Sequence, residues 1–220
     1  MTKRALITIG AAVLASAATT WALPIPSSID IDFRSASWSG AHNQGTFALG
    51  GVTVSALPSG SVLRHATGDG LGIDGSLPNR IEDPSEVGPL ETLVVNFSSP
   101  TSLLAAYLND LYPQSISELV QDSGWLELYN GSSLIDTYAF TGSESSGEKT
   151  INFNAATLVT RVEFKVYFGN NPVEWLANRD FAVAGFDVQE VVVPVADNGL
   201  TLVLLGGGLL GLGLVRRSKV

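Results

Sequence analysis

Four carboxylate side chains fall within a short glycine-rich stretch of the chain: Asp69, Asp74, Glu82 and Asp83. Calcium binds about six to eight oxygen ligands, and carboxylates on a flexible loop can supply several of them. The stretch therefore predicts a calcium-binding loop. A solvated acidic loop is the alternative, because the chain carries many other acids and Glu82 can pair with Arg80 instead.

A second group with chemical potential combines aromatic and acidic side chains. Trp125, Glu127 and Tyr129 are spaced two residues apart, so in a β-strand they share one face. Aromatic rings stack on sugar rings, and carboxylates accept hydrogen bonds from sugar hydroxyls. The spacing predicts a platform that binds polysaccharide, to which Trp38 and Trp175 could add. In the alternative, these aromatic side chains belong to a second buried layer.

Motifs for catalysis are scarce. The chain has two histidines, His42 and His65, and it contains neither G-x-S-x-G nor H-E-x-x-H. It has no cysteine, which excludes disulfides, thiolate zinc sites and cysteine nucleophiles. We therefore expect a non-catalytic protein with no cofactor apart from the calcium ion. The alternative is a carbohydrate-active enzyme, such as a glycoside hydrolase, because the separation of two catalytic carboxylates depends on the fold.

The charges are distributed unevenly along the chain. All twenty-one acids lie between residues 23 and 197, whereas five of the twelve basic residues lie at the two ends. The seven remaining basic residues leave this central stretch with a net charge of −14. So negative a domain repels phosphate backbones, which excludes nucleic acid as a partner. The basic residues at the ends are Lys3, Arg4, Arg216, Arg217 and Lys219.

Strands must position these side chains, because hydrophobic residues alternate with polar ones throughout residues 23–192. The clearest run is 161–168, where valine and phenylalanine occupy every second position. Such alternation is typical of antiparallel strands with one buried face and one wet face. Asn130-Gly131 predicts a hairpin turn, and Gly185 predicts a β-bulge in the last strand. We predict an all-β domain, an antiparallel β-sandwich, with a short helical turn at 114–120.

The N-terminus has the pattern of a secretory signal peptide. Two basic residues, an apolar run of limited length and small residues before Leu23 follow one another. We predict a signal peptide over residues 1–22 with cleavage after Ala22. Cleavage after Ala17 and a buried N-terminal helix are the alternatives.

The C-terminus predicts a second membrane-directed segment. Residues 199–215 contain no charge, and Arg216 and Arg217 follow directly. A stretch of this length is just sufficient to span a bilayer as a helix, which we place at 200–215. The basic end at 216–219 stays cytoplasmic, so the acidic domain faces outward. One interpretation is a permanent single-pass anchor, in which Gly207 and Gly211 allow two such helices to pack closely.

Residues 193–220 also resemble the PEP-CTERM class of sorting signals, in particular its VPDSG-type variant. In the motif at 195–199, this chain has alanine and asparagine, at 196 and 198, where that family has proline and serine, and its own proline is Pro194. The residues that match the family pattern are Val195, Asp197 and Gly199 of the motif and Arg216 and Arg217 of the basic end.

The resemblance implies a partner and a destination. In that family, a processing enzyme called exosortase recognises the tail at the membrane, and the protein is delivered to the cell surface or to the exopolysaccharide matrix of biofilms. The chain is then expected to be exported by a bacterium of the Gram-negative type. Within the body, the segments 31–33, 70–73 and 181–188 resemble the jelly-roll domains common among such proteins, which implies a jelly-roll-like sandwich.

Overall fold

Antiparallel β-sheet dominates the computed structural model, which describes residues 25–75, 86–113, 121–143, 145–154, 158–166 and 180–189. These residues form eleven strands and one 3₁₀ helix, Ala36–Ala41. The all-β prediction is thereby confirmed. The strands are β1 (Ile31–Asp32), β2 (Thr46–Leu49), β3 (Val52–Leu57), β4 (Val62–Ala66), β5 (Gly70–Asp74), β6 (Thr92–Asn109), β7 (Ser123–Asn130), β8 (Ser133–Thr141), β9 (Lys149–Asn152), β10 (Leu158–Val166) and β11 (Ala182–Gln189).

The long strand β6 joins two halves of the sheet. Its first half lies between β3 and β10. The strand order in this half of the sheet is β2-β3-β6-β10-β7-β8. Its second half lies between β11 and β9, and β11 pairs in turn with β5 and β1, while β4 pairs with β5. The alternation of residues 93–97 predicts only the beginning of this strand. Strand β6 in fact continues through Pro100, which lies on an exposed stretch.

An aromatic cluster fills the space between the two halves. The ring of Phe186 on β11 lies 5.8 Å from that of Phe164 on β10 and 5.9 Å from those of Phe97 and Phe33. Phe33, Phe164 and Phe186 are fully buried. The inner faces of the two halves therefore contact each other in one core, whereas the opposite face of the second half buries a smaller cluster of Ile29, Ala105, Tyr107 and Ala184.

The alternation in β10 has the expected consequence. Val162, Phe164 and Val166 point into the core, while the residues between them lie on the outer face. The hairpin predicted at Asn130-Gly131 is also confirmed: it connects β7 to β8, with Gly131 at a positive φ of 59°.

Two glycines permit close approaches between strands. Gly185 adopts a φ of 149° at a register shift in β11, which confirms the predicted bulge. A Cβ atom there would lie 2.1 Å from the carbonyl oxygen of Ile31 on β1. At Gly70, a Cβ would lie 2.2 Å from the carbonyl oxygen of Val183. No side chain fits at either position, so glycine is required where β1 and β5 contact β11.

The predictions for both ends of the chain fall outside the described residues, as does the helical turn at 114–120. This applies to the signal peptide with Ala22 and to the whole tail at 193–220. Across the part of the chain that the structure does describe, no helix combines the length and apolar character needed to cross a bilayer.

Candidate functional site

The three residues of the predicted sugar platform lie on the outer face of β7, and β10 brings three charged residues beside them. Tyr129 pairs with Arg161, Glu127 with Glu163, and Trp125 with Lys165. Paired residues in antiparallel strands project from the same face. We refer to these six side chains together as the β7–β10 platform: Trp125, Glu127, Tyr129, Arg161, Glu163 and Lys165.

Ion pairs connect most of the β7–β10 platform. The Lys165 Nζ lies 2.5 Å from Glu127 Oε2 and 2.8 Å from Glu163 Oε2. The Arg161 Nε lies 3.0 Å from Glu163 Oε1. Two carboxylates that face each other directly across two strands would repel. Lys165 lies between Glu127 and Glu163 and compensates for this repulsion.

Glu127 is the centre of the network. It accepts a hydrogen bond of 2.6 Å from the Tyr129 hydroxyl in addition to that from Lys165. Burial raises the pKa of Glu127, but hydrogen bonds from Lys165, Tyr129 and Trp125, with the positive charge of Lys165, outweigh burial and lower the pKa overall. Burial lowers the pKa of Lys165, and its hydrogen bonds to both glutamates more than reverse this. Glu127 is therefore an anion and Lys165 a cation at neutral pH.

Tyr129 makes two contacts within the β7–β10 platform. The guanidinium of Arg161 lies over its ring, 4.0 Å from the ring centre, in a cation–π arrangement. The pKa of the Tyr129 hydroxyl is raised, first by its hydrogen bond to Glu127 and then by burial. Tyr129 thus contacts both Arg161 and Glu127, and Trp125 also hydrogen-bonds to Glu127.

The neighbours of the β7–β10 platform on β8 and β6 are uncharged, and most are short; the exception is the exposed Leu134, which pairs with Tyr129. On β8, Thr137 and Ala139 pair with Glu127 and Trp125, so they lie on the same outer face. On the other side, Asn96 and Thr92 of β6 pair with Arg161 and Lys165. Since Thr137, Ala139, Asn96 and Thr92 do not project far from the sheet, an extended polymer can lie flat across the strands around Glu127 and Lys165. Binding of a sugar at this face stays a prediction.

The contribution of β10 could not be read from the sequence. Alternation shows that Arg161, Glu163 and Lys165 share a polar face, but it does not show which strand lies beside them. The partner strand β7 comes more than thirty residues earlier, and only the register of the pair brings Lys165 between the two glutamates.

The acids of the predicted calcium loop are separated in the structure. The segment predicted as a loop forms strand β5, and Asp69 and Asp74 lie at its opposite ends, roughly 16 Å apart at the usual rise per residue. The two therefore cannot bind one ion. Asp74 forms an ion pair with Arg64, and Asp69 accepts a weak hydrogen bond from Asn109, 3.5 Å long.

The remaining predicted ligands, Glu82 and Asp83, lie outside the described residues. Within the described part of the chain, no three acids or histidines come together as a metal site would require.

Trp38 does not belong to a surface platform. Its side chain is buried, with its ring 4.7 Å from that of Phe33 and 5.8 Å from that of Phe47. The prediction that it adds to a sugar-stacking surface on the outer face is therefore wrong, because the 3₁₀ helix directs it toward the core. Trp175 lies outside the described residues.

Comparison with known proteins adds no assignment to this geometry. A scan against models of protein families finds none that matches the chain, and a search of curated proteins finds no significant match.

Proposed function

We propose that this chain is an exported bacterial protein of the cell surface or extracellular matrix, whose body is a non-catalytic, jelly-roll-like β-sandwich that binds polysaccharide. The observation that carries the proposal is the β7–β10 platform, in which Trp125 and two paired cations occupy one outer sheet face. The acidic body faces an aqueous exterior, and the membrane-directed patterns at both ends support export.

The ion pairs of the platform suit it for binding a sugar polymer. Lys165 and Glu127 are held in place by contacts of 2.5–2.8 Å before any ligand arrives, so little side-chain entropy is lost on binding. Trp125 offers an apolar surface for the C–H face of a sugar. Arg161 and Lys165 supply N–H donors for ring and hydroxyl oxygens. Because each cation is already paired with a glutamate, the site does not require an anionic ligand.

The tail provides the means of delivery. Residues 200–215 hold the exported protein in the membrane, and an exosortase-type enzyme processes it near the motif at 195–199. The resemblance of that motif and of the basic end to PEP-CTERM signals supports this step. Release or reattachment after processing places the body in the matrix.

Processing predicts a specific mass. The protein recovered from the producing cells' surface or medium should begin at Leu23 and lack the residues that follow about Asp197. Intact mass spectrometry measures both ends at once. A mature protein that keeps its C-terminus through Val220 would contradict sorting and would indicate a permanently anchored envelope protein.

Substitution of Trp125 by alanine should weaken polysaccharide binding by about tenfold or more, as expected when a central aromatic contact is removed from an interface. The measurement is binding to an array of neutral and uronic-acid-containing bacterial polysaccharides. Leu104→Ala is a matched control, since Leu104 is an exposed aliphatic residue on the second half of β6. Equal binding by both variants, or no binding by the unchanged protein, would reject the platform. Release of reducing ends from a bound polymer would instead indicate a glycoside hydrolase.

A further inference from the structure

An open cleft of about 290 Å³ lies between the segment 29–38 and the turn that connects β2 to β3. It is on a different surface from the β7–β10 platform. Val52, which lines the cleft, points inward from β3, whereas Thr53 pairs with Asn96 and lies on the outer face with the platform. A ligand in the cleft therefore makes no contact with Trp125.

The two walls of the cleft differ in chemistry. One wall comes from the segment that includes β1 and the start of the 3₁₀ helix, and it presents Asp30, Asp32, Ser35 and Ser37 beside the apolar side chains of Ile29, Ile31 and Trp38. The opposite wall comes from the β2–β3 hairpin and presents Leu49 and Val52. A ligand that fits both walls has one edge rich in hydrogen-bonding groups and one apolar face.

The acids of the polar wall are not equivalent. Asp32 is already occupied, because Arg34 donates to it from its backbone nitrogen, its Nε and its Nη2 at 2.9–3.0 Å. Asp30 accepts one hydrogen bond, from the backbone nitrogen of Val188 to its Oδ2 at 3.0 Å. Its exposed carboxylate retains acceptor capacity for a ligand hydroxyl.

The serines complement this acceptor. The Ser35 hydroxyl oxygen accepts from both the backbone nitrogen and the hydroxyl of Ser37, at 3.3 and 3.0 Å. The proton of the Ser35 hydroxyl is therefore left to donate, and the Ser37 oxygen is left to accept. This wall can both donate and accept hydrogen bonds. Sugar hydroxyls can also do both, so they match it.

We propose that this cleft binds a single neutral pyranose residue. Its volume of about 290 Å³ is just below the range for drug-sized ligands, roughly 300–1,000 Å³, so it accommodates one ring and not a longer chain segment. The hydroxyl edge contacts Asp30 and the serines, and the C–H face contacts Leu49. Uronic acids are disfavoured by the negative charge of Asp30 and by that of Asp187. The Asp187 Oδ1 accepts a hydrogen bond of 3.4 Å from the backbone nitrogen of Asp30.

This site goes beyond the proposed function because it is independent of the β7–β10 platform. If the platform also binds polysaccharide, which rests on that proposed function, one molecule holds a polymer segment at the platform and one sugar residue of another glycan in the cleft, and so cross-links the matrix.

Fluorine NMR distinguishes the two sites in one sample. The chain has four tryptophans, and Trp38 lines the cleft while Trp125 belongs to the platform. Full-length protein labelled with 5-fluorotryptophan, in a sugar-free detergent, is titrated with the methyl glycosides of glucose, galactose and mannose. Substitution of each tryptophan by phenylalanine assigns the resonances. We expect at least one neutral glycoside to shift the Trp38 resonance with a dissociation constant of about 1 mM, a binding free energy of about −4 kcal/mol.

Two variants test the contacts. Ser37→Tyr fills the cleft from an exposed position and should abolish the shift of Trp38. Asp30→Asn keeps an acceptor for the backbone nitrogen of Val188 and should weaken the binding of neutral glycosides roughly tenfold. Because it removes the negative charge, it should also allow methyl glucuronide to bind.

The proposal is overturned if no neutral glycoside moves the Trp38 resonance, if the shift survives in both variants, or if only the cationic glucosamine binds. The Trp125 resonance reports the platform separately, so failure of one site is not mistaken for failure of the other.

Discussion

Replacement of Gly185 by alanine is expected to destabilise the protein by about 4 kcal/mol. Two costs add: the backbone φ of 149° is unfavourable for any residue with a Cβ, and the new atom would lie 2.1 Å from the carbonyl oxygen of Ile31. Relief of the collision requires β1 to separate from β11, and β1 carries Phe33 into the core just after it. Urea denaturation of the purified variant measures the loss.

Gly68→Ala is the matched control for this prediction. Gly68 also has a positive φ, 101°, but a Cβ there would meet nothing within 4 Å. It should therefore cost only the backbone strain, about 1–2 kcal/mol. Equal losses in the two variants would show that β1 and β11 do not approach as closely as described.

The second large effect is expected for Phe186→Ala, with a loss of about 4 kcal/mol in the free energy of unfolding. Phe186 is fully buried, and its ring contacts those of Phe33, Phe97 and Phe164, which come from both halves of the sheet. The cavity left by its removal is enclosed on all these sides, so the surroundings can relax only in part. The unfolding midpoint in urea should fall accordingly.

Two further variants make the test of Phe186 specific. Phe186→Leu retains most of the volume and should lose considerably less stability than the alanine variant. Leu158→Ala removes an aliphatic side chain that is 42% exposed, and it should change the stability by less than about 0.5 kcal/mol. A small loss in Phe186→Ala, similar to that of Leu158→Ala, would contradict the position of this ring at the centre of the core.

Local pattern was sufficient for the features that depend on a single strand. A side chain in a strand points to the face opposite to its neighbours, whatever the strand pairs with. The outward positions of Trp125, Glu127 and Tyr129 follow from this rule alone, as does the burial of Val162 and Phe164. The hairpin at Asn130-Gly131 is likewise a local property, because its turn joins adjacent residues.

Features that depend on distant partners could not be predicted in this way. The glycines of residues 70–75 indicate a loop when taken locally, yet Gly70 is required because strand β5 packs against Val183. The pairing of Lys165 with two glutamates depends on the register of β10 against β7. The continuation of β6 past Pro100 depends on the change of neighbours from β3 and β10 to β11 and β9.

The position of β11 has a consequence for when the protein can fold. This strand is the last one in the described chain, yet it lies between β6 on one side and β1 and β5 on the other, and it carries Phe186. Until β11 has been synthesised and has emerged, β1 has no sheet partner and the core lacks its central ring. A chain arranged in this way can complete its core only once residues 182–189 are available, so its tertiary structure depends on the last strand that the structure describes.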